Sequence, residues 1–424
     1  MSRKETGRSW MVLFASFMLM FMETGIVKSL GVLLPDIREQ FSTQTWVVGF
    51  AISLTPGFGA IVSLFSGAVS KVVEPRVTII LCAFLSSVGL FAATCATTLG
   101  SIVTALVITG FCTGPTPVAA AAISTYFDDH YNIAITVFSC GMSVGMIVMP
   151  LLTQFLQNLY GWRGGILLLS GISFHSVVCG ALIKPSKCEY SPVSKSSENE
   201  TNKSNNKFQW WSSIFEKYLD ASLFSNPSFL AILSIDAGTG FCTTGWLIYV
   251  VPHALELGFT PYKASIVATA GGIANLLGNS LYPFLATFLS NKALLYISIC
   301  FIAVSYLLDP VASSYPSYIG LILCAIAFGV GTGLKSNTIY AMFNDAIDEE
   351  QLINAVGMGC AMYGLMSVIS GFVCGWLYDR SGSYAISFLV LSVVAVVTII
   401  PQCVVDIQHL RKSEFSLSAQ PSLF

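Results

Sequence analysis

The sequence predicts an all-α, polytopic membrane protein with twelve transmembrane helices in two six-helix bundles. Three observations predict it. The 424-residue chain is 54% hydrophobic and only 10% charged, with a mean hydropathy of +0.74, whereas soluble proteins carry roughly 25% charged residues. Apolar windows of about 20 residues, the length that crosses ~30 Å of hydrocarbon, recur along the chain. One long polar segment divides those windows into two equal sets.

The first set falls at 10–34, 46–66, 77–97, 101–123, 132–155 and 164–183. The second falls at 228–251, 263–288, 293–310, 317–342, 353–376 and 384–405. The expected organisation is an N-terminal bundle (1–183), a cytoplasmic linker (184–227), a C-terminal bundle (228–405) and a cytoplasmic tail (406–424). The linker, "KPSKCEYSPVSKSSENETNKSNNKFQ", is rich in Ser, Asn and Lys and has the composition of a disordered segment. Its end, "FEKYLDASLF", suits a short interfacial helix. The prolines of "TGPTP" (Pro115, Pro117) and "SLTPGFG" (Pro56) loosen helices that must bend or pack closely.

Charge sets the expected orientation. With the N-terminus inside, the outer loops hold only Arg38, Arg163, Lys263 and Arg380, while Lys28 and Lys335 lie within spans. The remaining Lys and Arg are all on the inner side, so both termini and the linker are expected to be cytoplasmic. The sequons at Asn199 and Asn202 then face the unglycosylated side. The first apolar run is longer than a signal-peptide core and carries no A-x-A site, so no cleavable leader is expected.

Composition also excludes function classes. A net charge of −2 offers no basic face for nucleic acid. The 12 cysteines stand singly, mostly within apolar runs, without C-x-x-C or Cys/His ligand spacing. Neither a metal site nor a disulfide framework is indicated, and no cofactor motif is present. No nucleophile–base pair or phosphate-cradling loop marks an enzyme.

Five local patterns, dispersed over the chain, share an order. "ETGRSW" offers Glu5, Gly7 and Trp10; "IVKSLGVLLPDI" contains Lys28-Ser29. "TYFDDHYNIAITVFSCGMSVG" offers Tyr126, Phe127, Ala134, Gly141 and Gly145, then come "YGWRGGILLLSGI" and "GWLYDRSGSY". Together they resemble the monocarboxylate transporter family (solute carrier family 16), a branch of the major facilitator superfamily. This chain is a divergent case, with Asp128, Asp129 and His130 where the family pattern is basic. The resemblance implies a substrate site between two rocking halves, an anion-attracting lysine at Lys28 and a single-span immunoglobulin-like chaperone partner. It also implies an Asp and an Arg four residues apart in span eight. Here "GGIANLLGNSLYP" puts Asn275 and Asn279 at those positions. An amide neither relays a proton nor supplies fixed charge, so proton symport does not carry over from the family.

Polar residues within spans mark candidate sites, because charge in hydrocarbon normally faces a partner or cavity. Thr24, Gly25, Lys28 and Gly31 share one face of span one. Lys28 either faces a transport cavity or snorkels outward. Glu23, some ~20 Å into the span, lies about 140° around the helix from Lys28. It is a candidate proton carrier or amine-binding group; the alternative is a structural hydrogen bond. Asp236 opens a matching stripe in span seven with Thr239, Gly240 and Thr243. It is a candidate for substrate binding or proton coupling opposite Lys28, or else an inter-helix cap. Span eight adds Asn275, Asn279 and Tyr282 on one face, to read a substrate or bind a neighbouring helix. Lys335 is expected to snorkel to the cytoplasm, and His175 to be buried and hydrogen-bonded in span six.

These residues point to a secondary transporter of a small carboxylate-bearing solute in the plasma membrane, proton-linked through Glu23 or Asp236. A pH-independent carrier of a zwitterion (creatine, carnitine or amino acid type) is the alternative within that class. A non-transporting receptor or scaffold is the alternative outside it. Lipid and a small organic anion or zwitterion are the expected partners.

Overall fold

The structure, a computed structural model, describes residues 7–72, 74–114, 116–124, 126–127, 131–183, 221–314, 317–347 and 349–408. Apolar runs that must satisfy every backbone N–H and C=O without water become helices, and the described residues are almost wholly helical. In chain order these are α1 (Gly7–Gln40), α2 (Thr45–Val72), α3 (Pro75–Thr94), α4 (Leu99–Thr109), α5 (Thr116–Ser124) and α6 (Tyr131–Leu182). The second half contains α7 (Pro227–Glu256), α8 (Pro261–Leu285), α9 (Asn291–Ser314), α10 (Tyr318–Ala346), α11 (Glu349–Ser381) and α12 (Tyr384–Val397).

Local chemistry sets where these helices begin. Asn226 caps α7, accepting from the backbone of Ser228 at 3.0 Å, and Pro227 fits the first turn, where its missing N–H costs nothing. Thr260 and Pro261 repeat that arrangement at α8. Ser317 and Ser383 cap α10 and α12.

Eight described helical segments are long and apolar enough to cross a membrane by length and composition. The expected spans differ from the observed helices in three places. Span four is broken into α4, a 3-10 turn at Gly110–Thr113 and α5, next to "TGPTP". Spans five and six are two helices, labelled together as α6, that join directly at a break at Gly161 with φ 68° and ψ 176°. Only glycine adopts that conformation readily. Arg163 fixes this break to α3 by donating to the carbonyls of Thr94 (3.1 Å) and Ala96 (2.8 Å). Span twelve turns at Thr398–Ile399 before continuing to residue 408. Of the expected interfacial helix, Ala221–Ser225 forms a 3-10 turn. Residues 184–220 with both sequons, the Asp128–His130 stretch, Glu5 and the tail from 409 lie outside the described residues.

Within the first half, α6 packs along α1 and α3; within the second, α10 packs along α8 and α9. Among the described residues the halves meet mainly along three pairs: α2 with α11, α6 with α8, and α1 with α7. Gly371 of α11 shows how close the first pair comes. A Cβ there would lie 2.3 Å from Ser53 Oγ and 2.6 Å from the Gly49 carbonyl. Residues facing outward, such as Phe14, Leu81, Phe155 and Ile319, are large, apolar and exposed, as a lipid-facing surface requires.

Candidate functional site

Lys28 sits midway along the α1–α7 pair with no solvent exposure. Its Nζ lies 3.9 Å from the centroid of the Trp246 ring on α7. Among the described residues no hydrogen-bond acceptor reaches it. The indole is held in turn by Phe328 of α10, stacked at 4.2 Å and 21°. The ring face offers the ammonium an attraction of about 2 kcal/mol when desolvated, well short of what a carboxylate partner provides. The snorkelling alternative is not the arrangement seen. Thr24 is buried on the same helix.

Asn275 and Asn279 lie in a polar cluster joining three helices. Ser143 of α6 donates to Asn275 Oδ1 at 2.7 Å. Asn275 Nδ2 donates to Thr332 of α10 at 2.9 Å. Asn279 Nδ2 donates to Ser143 Oγ and to Asn275 Oδ1, each at 3.1 Å. Asn337 of α10 then donates to Asn279 Oδ1 at 3.1 Å. Both asparagines are buried, and their amides are engaged with α6 and α10. Tyr282 does not join them: its hydroxyl is 3.3 Å from Asn291, which bonds Asp345.

The carboxylates are placed differently from the expected cavity opposite Lys28. Asp236 pairs with Lys335 of α10, Nζ to Oδ1 at 2.8 Å. Lys335 is therefore a buried ion-pair partner rather than a snorkelling residue, because the pair offsets a desolvation that either charge alone would bear. Glu23 accepts a hydrogen bond from Thr116 of α5. Among the described residues no cation pairs with it. Glu23 and Asp236 both lie within electrostatic reach of Cys360 and Tyr363 on α11. The structure thus brings Glu23 and Asp236 toward one stretch of α11 and keeps Lys28 apart, on Trp246. His175 is exposed on the outward face of α6, its Nδ1 3.2 Å from the carbonyls of Gly171 and Ile172. That corrects its expected burial: the ring satisfies itself on its own helix.

At the end that charge counting assigns to the outside, the two halves are latched. Asp379 of α11 accepts from the backbone of Thr45 (3.1 Å) and Trp46 (2.8 Å), the first residues of α2. A carboxylate at a helix N-terminus meets unpaired N–H groups and the positive end of the helix dipole. Deeper in the chain, Thr269 of α8 donates to the Ile147 carbonyl of α6 at 3.2 Å.

A family profile described as Major Facilitator Superfamily matches residues 11–352. The chain belongs to that superfamily. Among curated proteins it is 25% identical to monocarboxylate transporter 13 of Rattus norvegicus over 397 residues, covering 91% of this chain and 86% of that protein. It is 26% identical to monocarboxylate transporter 2 of Meriones unguiculatus over 409 residues, covering 92% and 82%. It is a divergent member of the monocarboxylate transporter family and a non-enzymatic, multi-pass membrane transporter of a small solute. Among solved structures, the nucleoside transporter NupG superposes with a TM-score of 0.70 at 17% identity, over 93% of this chain and 98% of that one. A POT family transporter superposes with a TM-score of 0.72 at 13% identity, over 93% and 96%. These two likenesses establish the fold.

Sequence reasoning missed Trp246, Ser143, Thr332, Asn337 and Asp379 as parts of these arrangements. An aromatic or a hydroxyl within an apolar run has no distinguishing local signal; only packing against another helix assigns it a partner. Asp379 carried a signal that went unused, an acid beside a glycine turn in "LYDRSGS".

Proposed function

We propose that this transporter moves a small carboxylate-bearing solute by alternating access, residues 1–183 and 228–405 rocking about a site beside Lys28. The observation that carries this reading is the buried Lys28 ammonium, which rests on an indole and has no acceptor among the described residues. An incoming carboxylate would give it a charge-assisted partner. The monocarboxylate transporter names of its relatives support an organic anion. The charge asymmetry of the loops supports cytoplasmic termini, and the plasma membrane rests on the family resemblance alone. A single-span chaperone rests on the family resemblance alone. The test is uptake of radiolabelled carboxylates by reconstituted protein. Lys28→Gln is expected to reduce kcat/KM at least about tenfold, the loss of one charge-assisted bond; unchanged uptake contradicts the reading.

Proton linkage belongs to the same reading, with Glu23 as the carrier in preference to Asp236, which holds Lys335 at 2.8 Å. One observation favours a second reading. Glu23 lacks a cationic partner among the described residues, which suits the amine of a zwitterion as well as a proton. Uptake that ignores an inward proton gradient, with Glu23→Gln abolishing zwitterion transport, selects that alternative. Protein that is folded but binds and moves no carboxylate or zwitterion would be a receptor or scaffold.

A further inference from the structure

Beyond Trp246, the second half holds a buried acid–histidine cluster. His253, near the end of α7, is 1% exposed, and its Nε2 is 3.0 Å from Asp309 Oδ2 of α9. Its Nδ1 is 3.6 Å from Glu256 Oε2, one turn on. The imidazole, Asp309, Tyr306, Cys324 of α10, Val267 of α8 and Trp246 line a cavity with room for about one water molecule. The other titratable groups nearby are Tyr384 of α12, its ring 5.9 Å from His253, and Tyr249 one turn back on α7. Lys263 of α8 is exposed and turned toward Tyr318. Arg38 and Asp379 act electrostatically on Tyr384.

We propose that His253, Asp309 and Glu256 form a proton-binding site behind the outer seam, and that its occupancy sets how firmly α11 holds α2. One imidazole between two carboxylates takes up or releases a single proton, changing the buried charge by one unit. Contacts connect that charge to the seam. Glu256 Oε2 accepts from the backbone of Tyr384 at 3.3 Å. Tyr384 stacks on Tyr378 at 4.0 Å and 14°. Tyr378 precedes Asp379, which caps α2. A change of charge at His253 therefore acts on the α11–α12 turn that carries the latch. This goes beyond the proposed substrate and does not rest on it.

Two readouts test it without any transported solute. Side-chain nitrogen resonances of the 4 histidines, with His253→Gln assigning one, are followed from about pH 5 to about pH 10, because two carboxylates beside an imidazole favour its charged form. The His253 resonance is expected to titrate, with a midpoint displaced by Asp309→Asn. Ser53→Cys places a thiol in the seam, where Ser53 is fully buried and its Oγ is 3.3 Å from the Val368 carbonyl. Its labelling by an impermeant reagent added outside, above the unsubstituted background and normalised at each pH to that of a free thiol because the thiolate is the reacting form, is expected to change at least about fivefold over that pH range. His253→Gln, Asp309→Asn and the milder Glu256→Gln are each expected to flatten the change. A His253 resonance that does not titrate, or labelling whose pH dependence survives in every variant that folds, overturns the proposal.

Discussion

At the scale of single residues, three devices account for the charges of the candidate site. Lys335 and Asp236 neutralise each other, Glu23 is held by a hydroxyl, and Lys28 rests on a ring. The first device makes a thermodynamic prediction. Removing one partner of a buried pair costs about 3–5 kcal/mol, whereas removing both costs much less. Asp236→Asn and Lys335→Met should each lower the melting temperature of purified protein, and the double variant should recover part of the loss. Additive losses would mean the pair is not coupled. The asparagine cluster makes a smaller one, since interhelical hydrogen bonds in membranes average about 0.6 kcal/mol. Asn275→Ala should therefore leave the fold nearly intact by the same melting assay, and a collapse would show that the cluster does more than join α6, α8 and α10.

At the scale of elements, the α2–α11 pair depends on small residues and one cap. A side chain at Gly371 has no room beside Ser53 Oγ and the Gly49 carbonyl. Gly371→Leu should therefore wedge the α2–α11 seam apart, raising the labelling of Ser53→Cys and lowering uptake at least about tenfold through loss of the closed state. Asp379→Asn keeps an acceptor but removes the charge at the α2 N-terminus, worth about 0.3–1 kcal/mol at an exposed site, so its effect on labelling should be smaller in the same direction. Element positions were largely legible in the sequence, because a window of apolar residues and the need to satisfy backbone groups leave few alternatives to a helix. What was not legible was where helices bend. Gly161 breaks α6 without a polar loop, so hydropathy alone assigned a gap there. The face each residue presents was half legible: Lys28 and Gly31 meet α7 across the halves while Gly25 packs on Met149 of its own half, and Asp236 found Lys335 on a helix that no local pattern connects to it. His253 and Asp309 went unread for the same reason.

At the scale of the whole molecule, three main seams join two halves, and transport by alternating access requires those seams to open and close in turn. The proton question belongs to this scale. If Glu23 carries a proton, an inward gradient should accelerate uptake by wild-type protein, and Glu23→Gln should remove that acceleration while folding remains normal; identical gradient responses would exclude Glu23. The central claim is more direct: the lone ammonium at the α1–α7 seam recruits a carboxylate. Its most direct test is concentration-dependent uptake of a labelled carboxylate by proteoliposomes carrying wild-type protein or Lys28→Gln, with equal reconstitution verified. Saturable uptake that falls at least about tenfold in kcat/KM in the variant is the predicted result. Equal uptake by both proteins would contradict the account.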